Sequence, residues 1–227
     1  MPHRTGRGTA GVVFHAMNRG ARRLVLFESD GGYRAFLRCV ALALERVPLQ
    51  LLAYCLMPNH FHLVVRPTAD GQLSTFMKHL LSTHAQRWRA LRGTLGQGAV
   101  YQGRFRAFPV QTDHHFYVLC RYVERNPLRA GLVRRAEAWP WSSLAGHRLS
   151  AFDVPISSWP VPRPPDWVEQ VNATPAQSDE RRFRESLRRG SPLGSSDWAK
   201  GVARTQGISH TLQPRGRPKG KTVGRLL

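Results

Sequence analysis

Two stretches of the chain combine residue types and spacing that could do chemistry. In PNHFHLVV (58–65), two histidines flank one phenylalanine at the head of an apolar run. Side chains alternate along a strand, so His60 and His62 share one face while Phe61, Leu63 and Val65 share the other. The apolar row has to pack inward, and that fixes the direction of the histidines. They would stand about 7 Å apart at Cα and could lean onto one cation. The same pattern also describes a strand that carries two inert histidines. In CRYVERNP (120–127), Tyr122 and Asn126 lie four residues apart and share a helix face. Arg121, Arg125 and Arg129 surround them. A phenol is a weak nucleophile at its ordinary pKa of about 10. Beside a divalent cation and in a positive field, its attack on phosphorus becomes feasible. The Asn126 carbonyl could supply a third ligand or hold a metal-bound phosphate. For Tyr122 the plain alternative is a core or capping residue.

The elements that must position these groups follow from periodicity and punctuation. VVFHAM (12–17) alternates and ends in the turn-like Asn18-Arg19-Gly20, which predicts a strand. Ser29 and Asp30 offer an N-cap for a helix with Tyr33, Phe36, Leu37, Val40, Leu44 and Val47 on one face, stopped by Pro48. LQLLAYCLM (49–57) is apolar on both faces, as a central strand would be. Pro58-Asn59 makes a turn into HFHLVVR (60–66). A second helix has Leu73, Phe76, Met77, Leu80, Leu81, His84, Trp88 and Leu91 as its inner stripe. After a glycine-rich loop, RFRAFPV (104–110) predicts an edge strand, because Pro109 cannot donate to a ladder. Thr112 or Asp113 caps a third helix running to Asn126, where Pro127 disfavours helical geometry. The order β-α-β-β-α-β predicts an α+β, ferredoxin-like antiparallel sheet with helices on one face and the other face free. His15 on the first strand would share that free face, though a lone histidine there is usually structural. Tyr117 is the rival nucleophile, but its i+4 partner is Arg121; Tyr54 falls on a buried strand. His84 lies on a core stripe, and His114 and His115 sit at a helix start. Trp139 and Trp141 are expected as packing anchors, with base stacking the minor alternative.

The chain has 34 Lys and Arg against 14 Asp and Glu, a net charge of +20 over 227 residues. A monomeric metabolic enzyme has little use for such a field, whereas a polyanion partner releases condensed counterions on binding it. Half of the excess charge lies in residues 181–227, with twelve Lys and Arg against Glu185 and Asp197. Between 152 and 180 six prolines mark a connector. Cys39, Cys55 and Cys120 form no CxxC pair and fall in apolar patterns, as buried thiols do in a reducing cytosol. No run approaches the roughly 20 apolar residues of a membrane span, and MPHRTGRGTA lacks the apolar stretch of a signal peptide. The expected location is cytoplasmic and nucleoid-associated.

AYCLMPNHFHLVV, the GRF of QGRFRAF, RYVERNPLRAGLV and WPWSS together resemble the REP-associated tyrosine transposases, members of the HUH single-strand DNA transposases. The likeness extends to RRGSPLGSSDWAKGVARTQG and GRPKG, which look like that group's C-terminal extension. The resemblance implies His60 and His62 as ligands of Mg²⁺ or Mn²⁺, with Asn126 beside them, and Tyr122 as the nucleophile. It implies cleavage and rejoining of single-stranded DNA at palindromic hairpins through a 5′-phosphotyrosine link. Arg104, Arg106, Arg121, Arg125, Arg129, Arg215, Arg217 and Lys219 are the expected DNA contacts. The expected organisation is a catalytic domain (1–150), a proline-rich connector (151–180) and a basic DNA-binding extension (181–227), acting as monomer or homodimer. A catalytically silent hairpin-binding regulator is the alternative. A metallo-phosphodiesterase using water would need carboxylates near the histidines, and the third strand supplies none.

Overall fold

The computed structural model describes residues 8–145 and 154–213. Its centre is a four-stranded antiparallel sheet of β1 (Val13–Arg19), β2 (Gln50–Met57), β3 (His60–Arg66) and β4 (Arg106–Val110), in the order β2-β3-β1-β4. Helices α1 (Asp30–Arg46) and α2 (Gln72–Arg92) are the crossovers of the split βαβ units and pack side by side on one face. Their apolar stripes close over Phe14, Ala16, Phe61, Leu63 and Val65 of the central strands. Large side chains such as Phe36, Phe61 and Phe76 are fully buried there. Each contributes about 1.5–3 kcal/mol of transfer free energy. The ferredoxin-like α+β arrangement is therefore the observed one.

The opposite face differs from the expectation that it would be free. It carries a second core of Val13, Leu52, Cys55, Val64, Phe108 and Val110. Covering it are α3 (His114–Glu124) and two helices from the C-terminal part, α5 (Trp167–Asn172) and α6 (Gln177–Arg189). Phe183, fully buried on α6, packs against Phe108 of β4 and His15 of β1. Gly190 ends α6 in the left-handed region (φ 69°). The following chain then runs beside β4, where Leu193 exchanges backbone hydrogen bonds with Pro109 and Gln111. α7 (Ser196–Thr205) and a 3-10 turn (Ser209–Thr211) close the described chain.

Two further differences have local causes. β2 reads as a central strand yet lies at the sheet edge. Its outer side is sealed by the tryptophan-rich segment: Leu56 N donates to Trp141 O (2.8 Å), Ser143 N to Tyr54 O (2.9 Å) and Trp159 Nε1 to Leu52 O (2.9 Å). Trp139 Nε1 donates to Leu56 O, and Trp141 stacks on Tyr33 with ring centres 4.8 Å apart. An edge covered in this way can be apolar on both faces without offering a template for aggregation. The two tryptophans are thus packing anchors. Pro127 does not end the helical path either, because a short α4 (Asn126–Arg129) continues it with the proline in its first turn, where no N–H is required.

α3 is fastened from within by Glu124, which is 1% exposed. Its carboxylate accepts from Ser143 Oγ and from Trp167 Nε1, both at 2.6 Å. Burial raises its pKa, and those two hydrogen bonds oppose the rise. Trp167→Phe is expected to lower stability by about 1–3 kcal/mol, the cost of an unpaired buried acceptor. Urea unfolding followed by fluorescence measures it; an unchanged midpoint would show that Glu124 finds another donor.

Candidate active site

β3 enters the sheet directly after the Pro58-Asn59 turn, and its pleat sends Phe61, Leu63 and Val65 to the α1/α2 core. His60 and His62 consequently face α3, with ring centres 5.0 Å apart and nearly perpendicular. His62 is 2% exposed; His60 is half-buried. Antiparallel pairing puts Met17 opposite His62 and His15 opposite Val64, so His15 shares their face. Its Nε2 lies 2.8 Å from His62 Nδ1. His60 Nδ1 lies 2.7 Å from Asn59 Oδ1. Burial lowers all three imidazole pKa values: His15 to about 3, His60 to about 4 with help from Arg19 and Arg129, and His62 well below its usual range. The rings are neutral at pH 7.

The other half of the site is α3. Asp113 caps it by accepting from His115 N at 2.8 Å. Tyr122 stands edge-on to His62 with ring centres 6.0 Å apart. The Phe183 ring stacks on it with ring centres 3.8 Å apart, and the Arg129 guanidinium sits 5.0 Å from its centre. Burial raises the phenol pKa, while Arg129 and Arg184 pull it down. Asn126 is fully buried, donating from Nδ2 to Tyr122 O (3.1 Å) and accepting from Arg129 at Oδ1 (2.7 Å). The structure thus gathers His60, His62, Tyr122, Asn126 and Arg129 in one place.

The donor set fits a divalent cation. Both imidazoles are neutral, as ligation requires, and His62 Nε2 is a buried nitrogen with no hydrogen-bond partner among the described residues. Among the described residues no group of three or more His, Cys, Asp or Glu could hold a metal. Two imidazoles would therefore be supplemented by an amide oxygen such as that of Asn126, or by the substrate itself.

The remaining expected residues divide. Arg104 and Arg106 are exposed at the start of β4. Arg121 donates to Ala173 O (3.0 Å), and Arg125 donates to Val171 O and Asn172 O (3.0 and 2.6 Å), so both hold the C-terminal end of α5. Arg215, Arg217 and Lys219 lie outside the described residues. Tyr117 donates its hydroxyl to Pro162 O, Tyr54 is buried, and His84 meets the Tyr101 hydroxyl in the core. His114 and His115 pair with Asp179 and Asp113. Beside the site, a cavity of about 500 Å³ is lined by Arg121, Tyr122, Arg125, Arg129, Trp167 and Phe183, among others. Sequence reasoning missed Phe183, whose signal is a lone aromatic in the charged run RRFRESLRR.

Comparison with known proteins gives the family. The family model "Transposase IS200 like" matches residues 10–126, just over half of the chain, and the chain belongs to that family. The Haemophilus influenzae "Putative REP-associated tyrosine transposase" is 26% identical over 123 residues, covering 51% of this chain and 69% of the relative. A solved REP-associated tyrosine transposase bound to a REP hairpin superposes with a TM-score of 0.51 at 19% identity, covering 66% of this chain and 91% of that one. The fold is shared with it. Among the described residues no helix is long and apolar enough to cross a membrane.

Because His15, His60 and His62 are held neutral in the fold, the unfolded chain takes up protons first as pH falls below about 6.5. Stability should therefore decline from about pH 6.5 towards pH 4, by up to about 1.4 kcal/mol per pH unit for each of His15 and His62. Urea midpoints across this range, without added metal, measure the slope. A flat profile would contradict neutral burial.

Proposed function

We propose that this member of the IS200-like transposase family cleaves and rejoins single-stranded DNA at hairpin-forming palindromic repeats, with Tyr122 as the nucleophile. The observation that carries this reading is the juxtaposition of Tyr122 with His62, ring centres 6.0 Å apart, on two elements distant in sequence. His60 and His62, with the amide oxygen of Asn126, would hold Mg²⁺ or Mn²⁺. Such a cation withdraws charge from a phosphodiester oxygen and so makes phosphorus more electrophilic.

The chain's own residues do the rest. The hydroxyl of Tyr122 attacks phosphorus, the bond to the 3′-oxygen breaks, and the phenolic proton ends, net, on that departing oxygen. A 5′-phosphotyrosine and a free 3′-hydroxyl result, and attack by a 3′-hydroxyl on the same link rejoins the strand. Arg129, over the Tyr122 ring, favours the phenolate as it forms. Asn126 holds the helix carbonyl of Tyr122 and thereby the path of the phenol. Arg129 also engages Asn126 Oδ1, a contact that would have to give way for the amide oxygen to reach a cation or phosphate. Arg104 and Arg106 lie exposed for phosphate contact, and the basic residues Arg215, Arg217 and Lys219, outside the described part of the chain, are further candidates for phosphate contacts. The net charge of +20 and the hairpin-bound relative support DNA as the partner. The place of work is the nucleoid.

Tyr122→Phe is expected to abolish a denaturation-resistant protein–DNA adduct formed with a labelled hairpin oligonucleotide and Mn²⁺. Hairpin affinity should stay within about threefold, roughly 0.6 kcal/mol. Denaturing gel electrophoresis and filter binding read the two effects, and an adduct that survives the change would move the nucleophile elsewhere.

A further inference from the structure

The two imidazoles at the cation site are each engaged at Nδ1 by a neutral group. Asn59 Oδ1 meets His60 Nδ1 at 2.7 Å, and His15 Nε2 meets His62 Nδ1 at 2.8 Å. A neutral imidazole has one N–H and one lone pair, so the group at Nδ1 determines what Nε2 can do. An amide oxygen only accepts. His60 therefore carries its proton on Nδ1 and presents a bare Nε2.

His62 has two possible arrangements with His15. In one, His62 Nδ1–H donates to His15 Nε2, leaving His62 Nε2 bare and the His15 proton on Nδ1. In the other, His15 Nε2–H donates, and His62 Nε2 carries a proton that blocks ligation. Among the described residues both outer nitrogens, His15 Nδ1 and His62 Nε2, are buried without a partner, so none of these residues selects between the arrangements. A cation at Nε2 selects the first. His15 is suited to accept because it is rigidly placed. It is 0% exposed, stacks on His62 with ring centres 5.1 Å apart, and is wedged against Phe108 (4.9 Å) and Phe183 (5.7 Å).

We propose that His15 and Asn59 are the positioning residues of the site, holding His62 and His60 with Nδ1–H inward so that both Nε2 lone pairs face the cation. This rests on the cation-site reading above. Ligating histidines commonly donate to a carboxylate. Here both acceptors are neutral, so the second layer adds no negative charge and leaves the cation's full charge for the phosphodiester. The proposal also joins the HAMNRG stretch of β1 to PNHFH of β3 in one assembly.

The test uses the full-length, DNA-free protein with ¹⁵N-labelled histidine. Ring-nitrogen NMR reports the tautomers of His60 and His62 with and without Mg²⁺, and calorimetry reports Mn²⁺ affinity. On Mg²⁺ addition, both rings are expected in the Nδ1–H form with perturbed Nε2. His15→Leu and Asn59→Ala should each weaken Mn²⁺ binding by about 10- to 100-fold. His15→Gln, whose carbonyl can occupy the place of Nε2, should restore most of the loss. A His62 Nε2–H form in the Mg²⁺-loaded wild type, or a folded His15→Leu protein that binds Mn²⁺ as the wild type does, overturns the proposal. If His15→Leu fails to fold, the wild-type tautomer still decides. A wild type that takes up no Mn²⁺ and shows no change at His60 and His62 overturns the cation reading itself.

Discussion

Everything at this site depends on the pleat of one seven-residue strand. β3 has a fixed two-residue alternation, and Phe61, Leu63 and Val65 cannot leave the α1/α2 core without exposing three large apolar side chains. That constraint forces His60 and His62 to the opposite face, where β1 adds His15 in register and α3 adds Tyr122. A slip of one residue would exchange the two sets and remove both the core and the site. Packing and chemistry are thus set by the same backbone parity.

The second constraint is the attachment of α3. Glu124 is tied to Ser143 and Trp167, while Arg121 and Arg125 hold the end of α5 through its carbonyls. These contacts reach from α3 into segments beyond the residues that match the family, so the position of Tyr122 is partly supplied by the C-terminal part. Phe183 completes the enclosure by stacking on Tyr122 and touching His15. Enclosure keeps the imidazoles neutral, and neutral rings are the ones able to ligate.

The parts of this arrangement that local pattern controls could be read from the sequence. The direction of the histidines follows from alternation, the shared face of Tyr122 and Asn126 from helical spacing, and the edge position of β4 from Pro109. What escaped was long-range covering. β2 is apolar on both faces because each face meets a core, and its edge is sealed by residues 139–143 and Trp159, relations no local window contains. The run RRFRESLRR resembles a basic tail, since its one aromatic is easily lost among arginines, yet Phe183 joins α3 and α5 in closing the sheet face. His15 was visible as sharing the face of His62, but its role depends on a 2.8 Å contact between strands 47 residues apart.

The central claim is that a phenol from α3 and two imidazoles from β3 form one phosphoryl-transfer site. Mass mapping tests it most directly: the full-length protein is incubated with a hairpin oligonucleotide and Mn²⁺, digested with nuclease and protease, and the peptide retaining nucleotide is sequenced. A phosphonucleotide on Tyr122 is the predicted result. A modification on Tyr117 or another residue, or metal-dependent DNA cleavage that leaves no covalent link to the protein, would contradict it.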